Sequence, residues 1–509
     1  MAHPDKLRTE YTAKDFVREV WAQLDLPSSA LDALSLPGDE QGPAVPSSFK
    51  IGLLAQGAIA TSALAAASVY AARNERSVPK VIVPLHHALA EFRSERLYRL
   101  NGEPTPHLWG PLGGLHPTRD GHIRIHDNFP NHQQGILRVL GLPQDGSATR
   151  EDVTKATREW NKVDLETAAL ENGACAYALR SYEEWDALPQ APAIDPFPIS
   201  IRRIGDSDGT ATAPRSSVAA TPPRDGDKCL RGLRVLELSR VIAAPVAGRT
   251  LAAHGADVLW VTSPKLPALP ALDIDTSRGK RTIQLDLDDD DAEGAGKDKE
   301  TLLELATTCD VFIQGYRPGS LAARGLSPEA LASRNPGGIV VGNMSAFGPK
   351  GPWAGRRGFD SLVQTCSGMN MSEAAHYGAG EEGARPTPCQ ALDHAAGYFL
   401  AAGICAALHR RAADGGSYVV DVSLAGVMIY LRSLGQYEGR SGFEGAGGGG
   451  VDLPSAVEMD PGLFETRRTG FGELRGVRHS AAVDGCAPGW DEMPRPLGSD
   501  SPVWLLPRN

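Results

Sequence analysis

Asp393 is the residue of this chain best placed for covalent chemistry. It lies in Gln390-Ala391-Leu392-Asp393-His394-Ala395-Ala396-Gly397, directly before the apolar segment from Tyr398 to Leu408. A carboxylate set where a helix begins is held in place beside backbone N–H groups that can bind an oxyanion. The same position suits an N-cap, a role aspartate often fills. The motif alone leaves both readings open. Further along the same half, Arg278-Gly279-Lys280-Arg281, Arg317, Arg324 and Arg356-Arg357 supply cations from loops. Each arginine by itself reads as a solvated surface residue, but together they suit a ligand with several phosphates. The concentration matters because the chain as a whole is acidic, with a formal net charge of −11. That balance argues against nucleic acid as a partner.

The elements that would position these groups alternate strand and helix. Strands are expected at Arg234–Leu238, Asp257–Val261, Asp310–Gln314 and Gly338–Gly342, with helices near Pro245–His254, Glu300–Thr307 and Pro328–Ser333. Short strands alternating with helices predict a parallel, doubly wound, Rossmann-like sheet of the α/β class. The usual nucleotide and hydrolase signatures are missing: no GxGxxG follows the first strand, GxxxxGK[ST] does not occur, and no GxSxG elbow marks a serine hydrolase. The first strand instead runs into Leu238-Ser239-Arg240-Val241-Ile242-Ala243-Ala244-Pro245. Pro245 fits the first turn of a helix whose free N–H groups face a ligand at the strand's carboxyl end.

At 509 residues the chain is too long for one ordinary domain, and five regions are expected. Residues 1–100 hold a partial repeat of the large unit. Gly57 to Ser94 resembles Gly397 to Ser433, each with a small-residue helix, a strand-like run (Val81–Leu85 or Val420–Leu424) and a second helix. In the first copy the position of Asp393 falls near Leu53, so one chain has one such carboxylate. Residues 101–204 read as a small α+β domain. It has the turn Thr118-Arg119-Asp120-Gly121, the alternating strand His122–His126, and helices near Gln133–Leu140, Arg150–Asn161 and Leu165–Asn172, the last capped by Asp164. The strand's histidines are expected on a solvated face, and no spacing here marks a metal site. Residues 205–228 form a linker rich in Gly, Ser, Thr, Ala and Pro. Residues 229–435 form the large domain, and 436–509 a glycine-rich loop (Gly445 to Gly450) with a polar tail. Asp288 to Asp291 reads as a solvated loop.

Seven singly placed cysteines without CxxC spacing read as reduced thiols of an intracellular, cytoplasmic protein. The N-terminus has no signal-peptide layout. Ile51 to Ala72 has the length of a membrane span, but its alanines and polar residues point to a buried helix, and no membrane partner is expected.

The order of the motifs from Arg231 to Leu424 resembles the large domain of the class III CoA-transferases, the CaiB/BaiF family. The resemblance rests on Gly232 to Val241, Gly255-Ala256-Asp257-Val258, Arg278-Gly279-Lys280-Arg281, Tyr316-Arg317-Pro318-Gly319, Leu326-Ser327-Pro328-Glu329, Asn335-Pro336, Phe347 to Pro352 and Gly358-Phe359-Asp360. Residues 101–204 are similar to that family's small domain. The resemblance implies an enzyme that moves CoA from an acyl-CoA to a carboxylic acid through a covalent intermediate on Asp393, with CoA as substrate and no permanently bound cofactor or metal. It implies that Arg240, Val241, Ile242 and Ala243 line the CoA path, and that Lys280, Tyr316, Arg324 and Arg357 contact its nucleotide or pantetheine. It also implies a homodimer, although the partial repeat offers a way to build part of that assembly within one chain. Two departures bear on CoA binding. Thr262-Ser263 replaces an acidic and basic pair, removing an expected cation near the adenine, and Gly315 replaces a common Asn.

Two alternatives remain on the sequence. A 2-methylacyl-CoA racemase of the same superfamily needs two acid/base groups, and its usual Gly-His-Asp is Gly358-Phe359-Asp360 here. His394 adjoins Asp393, but neighbouring helix residues point about 100° apart. A degenerate, non-catalytic CoA-binding protein is the other.

Overall fold

Short runs of valine, leucine and isoleucine build the main sheet. In the computed structural model, which describes residues 8–38, 42–204, 224, 226–288, 296–378, 383–444 and 459–505, they form β1 (Ile199–Ile204), β2 (Arg234–Leu238), β3 (Asp257–Thr262), β4 (Lys280–Gln284), β5 (Val311–Gln314), β6 (Val340–Ser345) and β7 (Ser417–Ser423). Their order is β4-β3-β2-β5-β6-β7-β1. The six strands β2 to β7 are parallel, and β1 joins β7 antiparallel. Val235, Val258, Val311 and Val340 pack into one core; Leu236, Leu259, Phe312 and Val341 pack into another. Alternate residues therefore bury both faces, as a parallel sheet requires. The chain moves outward from β2 through β3 to β4, then returns to lay β5 on the other side of β2. That reversal opens a crevice at the strands' carboxyl ends.

The strand at Arg234–Leu238 has the expected bounds, and β3, β5 and β6 shift by one to three residues at their ends. β4 falls where the basic run was read as a loop. Arg278, Lys280 and Arg281 are all buried, each against a carboxylate: Asp275, Glu237 and Asp257 respectively. Paired charges hide a strand whose residues look polar in sequence.

The N-terminal unit has an order of elements like that in the last part of the large one. Helices α1 (Ile51–Asn74) and α3 (Ala391–Asp414) are each 24 residues long, where α2 (Ala243–Ala253) follows β2. α1 leads to Val81–Ile82 and then Leu85–Glu91, as α3 leads to β7 and then Leu424–Ser433. Leu53 is the third residue of α1, as Asp393 is of α3. The two long helices pack on each other. Their matching glycines each admit a crossing helix. A Cβ on Gly57 would lie 2.3 Å from Phe16, and one on Gly397 2.6 Å from Val246. By length and composition alone both helices would cross a membrane, yet they are 89% and 100% buried within the protein over their most apolar stretch.

The small unit has three antiparallel strands, Gly114–Thr118, Gly121–Ile125 and Ala176–Ala178, under helices Pro130–Val139, Arg150–Thr157 and Lys162–Glu171. Its own core centres on Ile123, Ile125, Ile136, Val153 and Leu165. Asn161, not Asp164, holds the N-cap position of the last helix. Asp164 sits in its first turn and accepts a hydrogen bond from Asn161 Nδ2 at 2.8 Å. The C-terminal segment is also folded rather than a loose tail. Phe464–Thr469 pairs with Gly472–Val477, which continues onto Arg99–Leu100, and Ala482–Val483 pairs with Val81–Ile82. Their partner edges lie in the N-terminal unit, too distant in sequence for local patterning to reveal. Residues 205–223 of the expected linker, Asp289 to Asp291, and the glycine run 445–450 lie outside the described residues. All seven cysteines are buried, and none is in a disulfide.

Candidate active site

Asp393 occupies the first turn of α3 without capping it. Gln390 is the N-cap residue and makes no side-chain cap bond. The capping task falls to Asp360, whose Oδ2 accepts from the backbone N–H groups of Leu392 at 2.8 Å and Asp393 at 3.0 Å. Asp360 begins the helix Asp360–Cys366 and is fully buried. Two helix amides expected to serve an oxyanion are therefore already engaged, and the Asp393 carboxylate is left free of that duty. Asp393 is only 6% exposed. Burial, then the charges of Asp360 and Glu95, push its carboxyl well above the ordinary carboxylate range. Asp360 is pushed to about 6, chiefly by burial.

The exposed sliver of Asp393 lines a cavity of about 580 Å³, within the usual size of small-molecule sites, roughly 300–1,000 Å³. Its walls include Leu238 of β2, Val261 and Thr262 of β3, Met344 and Ser345 of β6, and Gly315 just beyond β5. The cavity thus sits at the crevice where the strand order reverses. Arg240, Val241, Ile242, Ala243, Tyr316, Arg324 and Arg357 all line it, with Arg317 and Arg356. Arg324 pairs with Asp288 at 2.6 Å and Arg356 with Glu166 at 3.0 Å. Among the described residues no carboxylate is ion-paired to Arg240, Arg317 or Arg357. Arg240 lies over the Phe129 ring at 4.3 Å. The lining is thus cationic, in a chain whose net charge is negative.

Lys280 is the exception among the predicted contacts. It belongs to β4, and its Nζ donates to Glu237 Oε1 and to the Pro245 carbonyl, each at 2.8 Å, with 1% side-chain exposure. It braces β2 against α2 and does not line the cavity. The two departures also find a physical account. Lys265 lines the cavity just past Thr262-Ser263, returning a cation to that wall, where it pairs with Asp286. A Cβ on Gly315 would stand 2.9 Å from that of Ala244, leaving no room for a longer side chain. Val241 has φ of 74°, a left-handed conformation costly for a β-branched residue. Strain of this kind persists where surroundings impose it, here in the wall of the cavity.

Sequence reasoning missed the small unit's contribution. Phe129, Asn131 and His132 line the cavity. His126 stacks flat on Phe359, with ring centroids 3.8 Å apart and planes 7° apart. Alternation suggested a solvated face for His126, but it is 7% exposed, as is His132 in the next helix. Burial lowers them to about 3 and about 4, so both imidazoles are neutral near pH 7. The sequence signal available was weak: His126 ends the strand run and His132 sits in the next helix's first turn. Among the described residues no group of three or more His, Cys, Asp or Glu side chains is arranged to hold a metal ion.

Residues 230–467 match the family model described as CoA-transferase family III. The chain is similar to an acyl-CoA transferase of Gibberella moniliformis, 31% identical over 57% of this chain and 51% of that protein. It is also similar to a probable fatty acyl-CoA transferase of Mycobacterium tuberculosis, 32% identical over 42% of this chain and 54% of that protein. A crystal structure of a hypothetical protein from Mycobacterium tuberculosis aligns with a TM-score of 0.37 and 32% identity over 41% of this chain and 58% of the other. The chain spans about half the length of the curated relatives it matches.

Proposed function

Residues 230–467 belong to CoA-transferase family III, and from that premise we propose that the chain moves CoA from an acyl-CoA to a carboxylic acid through a covalent intermediate on Asp393. The observation that carries the reading is a buried carboxylate, Asp393, in a cavity at the sheet's carboxyl ends that Arg240, Arg317 and Arg357 also line, none of them ion-paired among the described residues. The strand order, with β2 inside the sheet between β3 and β5, supports a doubly wound, Rossmann-like sheet that binds its ligand at this crevice. CoA is then a substrate rather than a resident cofactor, and Arg240, Arg317 and Arg357 are matched to its phosphates. The pairing of α1 with α3 inside one chain supports an assembly partly built from internal halves.

The steps balance without an outside proton. An Asp393 oxygen attacks the thioester carbonyl, the C–S bond breaks, and CoA leaves as thiolate, giving a mixed anhydride. The thiolate attacks the aspartyl carbonyl, releasing the donor acid as carboxylate and leaving aspartyl-CoA. An incoming carboxylate attacks that thioester and again frees the thiolate, which takes the new acyl group and restores Asp393. Covalent catalysis divides one difficult exchange into easier ones. With Leu392 and Asp393 amides occupied by Asp360, oxyanion donors come from elsewhere. The first N–H groups of α2, unpaired within the helix, are suited to that role, since Ala243 and Ala244 line the cavity.

The test is intact-protein mass after mixing with a panel of acyl-CoAs, then with hydroxylamine. A CoA-sized adduct that hydroxylamine removes is the expected result, and its absence from every acyl-CoA sinks the covalent route. The nucleophile must be ionised, so kcat/KM should rise with pH through the raised pKa of Asp393 and fall away in acid. Asp360→Asn removes a like charge while keeping an acceptor for the two amides. Measured from about pH 5 to about pH 9, its acid limb should move to lower pH; an unmoved limb would remove Asp360 from this role.

One observation favours a second reading. Phe359 cannot exchange a proton, but the neutral His132 lines the same cavity as Asp393, giving a racemase two acid/base groups. Deuterium uptake at the α-carbon of a 2-methylacyl-CoA, without adduct, would favour that reaction.

A further inference from the structure

We propose that Glu95, supplied by the N-terminal unit, is a positioning residue that holds Asp393 for reaction by fixing His394; the assignment rests on the transferase reading above. Glu95 lies well outside the family-matched segment. Its Oε2 is 2.9 Å from His394 Nε2, and both side chains are at most 1% exposed. The Phe92 ring stacks on the His394 imidazole, with centroids 5.4 Å apart and planes 25° apart. The short segment carrying these two residues is itself anchored to the large unit. Ser94 Oγ donates to Asp275 Oδ2 at 2.7 Å, and Tyr98 Oη donates to the Ala271 carbonyl at 2.9 Å.

The first turn of α3 is thus gripped twice. Asp360 holds it through the backbone amides of Leu392 and Asp393, and Glu95 holds it through the side chain of His394. Adjacent helix positions point about 100° apart. Asp393 accordingly lines the cavity while His394 does not. Glu95 therefore touches no substrate and acts only through its neighbour. A carboxylate that must attack a carbonyl in line tolerates little displacement, since about 1 Å of misplacement costs about 100-fold in rate. The charged groups around the pair are accounted for: Asp360 and Glu95 bear on Asp393, while His394, Arg96 and Asp275 bear on Glu95.

The experiment compares the full chain with Glu95→Ala and Glu95→Gln. Gln keeps an oxygen to accept from His394 Nε2–H. At a pH above the acid limb, where loss of the Glu95 charge no longer changes how much Asp393 is ionised, Glu95→Ala should slow CoA-adduct formation by about 10- to 100-fold, and Glu95→Gln should stay within about threefold of wild type. Hydrogen exchange of the peptide from Pro388 to Tyr398 should quicken in Glu95→Ala and remain near wild type in Glu95→Gln. Wild-type adduct rates in Glu95→Ala, or a Gln variant as slow as the Ala one, overturn the proposal. If wild type itself forms no adduct, the transferase reading fails separately. Hydrogen exchange then decides for Glu95: unchanged protection of the turn in Glu95→Ala overturns its positioning role.

Discussion

Asp393→Asn should abolish the hydroxylamine-sensitive adduct and lower turnover by about four orders of magnitude or more, the scale seen when a covalent nucleophile is removed. The amide cannot attack a thioester, yet it matches the carboxylate in size and leaves the backbone bonds to Asp360 intact. The same substitution should raise the unfolding midpoint at neutral pH. The sign follows from linkage. Burial and the neighbouring Asp360 and Glu95 raise the folded-state pKa of Asp393 above its unfolded value. The folded state therefore binds the proton more tightly, and that advantage is full below the unfolded pKa and lost as pH rises through the folded one. Toward neutral pH the raised carboxyl therefore costs the fold stability that Asn does not lose. Thermal melts of the two proteins should converge in acid and separate toward neutrality. A variant that keeps turnover would remove Asp393 from the chemistry, whatever its stability.

The sheet was legible because its strands are locally encoded. Arg234–Leu238 and Asp257–Thr262 are short apolar runs ending at turn residues, and both faces of each are buried. Asp393 was legible for the same reason, as the only acid at the head of a long small-residue helix. What stayed hidden was non-local pairing. Lys280 looked like a loop cation because nothing near it in sequence shows Glu237 waiting on the neighbouring strand. His126 looked solvated because its cover, Phe359, is supplied by another unit. The roles of Asp360, seen only as part of a motif, and of Glu95 stayed hidden, since a carboxylate's role under a distant helix depends on contacts made only after folding. The strands after Phe464 lack meaning until Arg99–Leu100 and Val81–Ile82 offer their edges. Residue types thus reveal which chemistry is on hand, while the environment that tunes it comes from elsewhere in the chain.

Asp275→Ala should destabilise the protein by about 3–5 kcal/mol, the usual cost of stripping the partner from a buried charge. Asp275 is fully buried between two buried guanidiniums, with Arg278 Nη2 at 2.5 Å and Arg249 closer still. It also accepts from Ser94 at 2.7 Å. Arg278 lies 4.0 Å over the Trp490 ring and donates to the Val477 carbonyl, while Trp490 Nε1 donates to the Arg249 carbonyl at 3.1 Å. One carboxylate therefore joins the N-terminal unit, the large unit and the C-terminal strands. Burial by itself would raise its pKa, but Arg249 and Arg278 more than offset this and hold it below the ordinary value. Its contribution is therefore present above the unfolded pKa and lost as pH falls through the folded one. Asp275→Asn keeps an oxygen to accept the hydrogen bond from Ser94 but leaves both cations unbalanced, so it should cost nearly as much as Ala. Urea unfolding should show a lower midpoint with an unchanged slope. Should Asn cost no more than about 1 kcal/mol, as a neutral hydrogen bond would, the charge balance would not be what joins the three units. If the loss is large, the turn that carries Asp393 is braced by segments that begin and end far from it, and the site depends on the whole chain being folded around the family-matched segment.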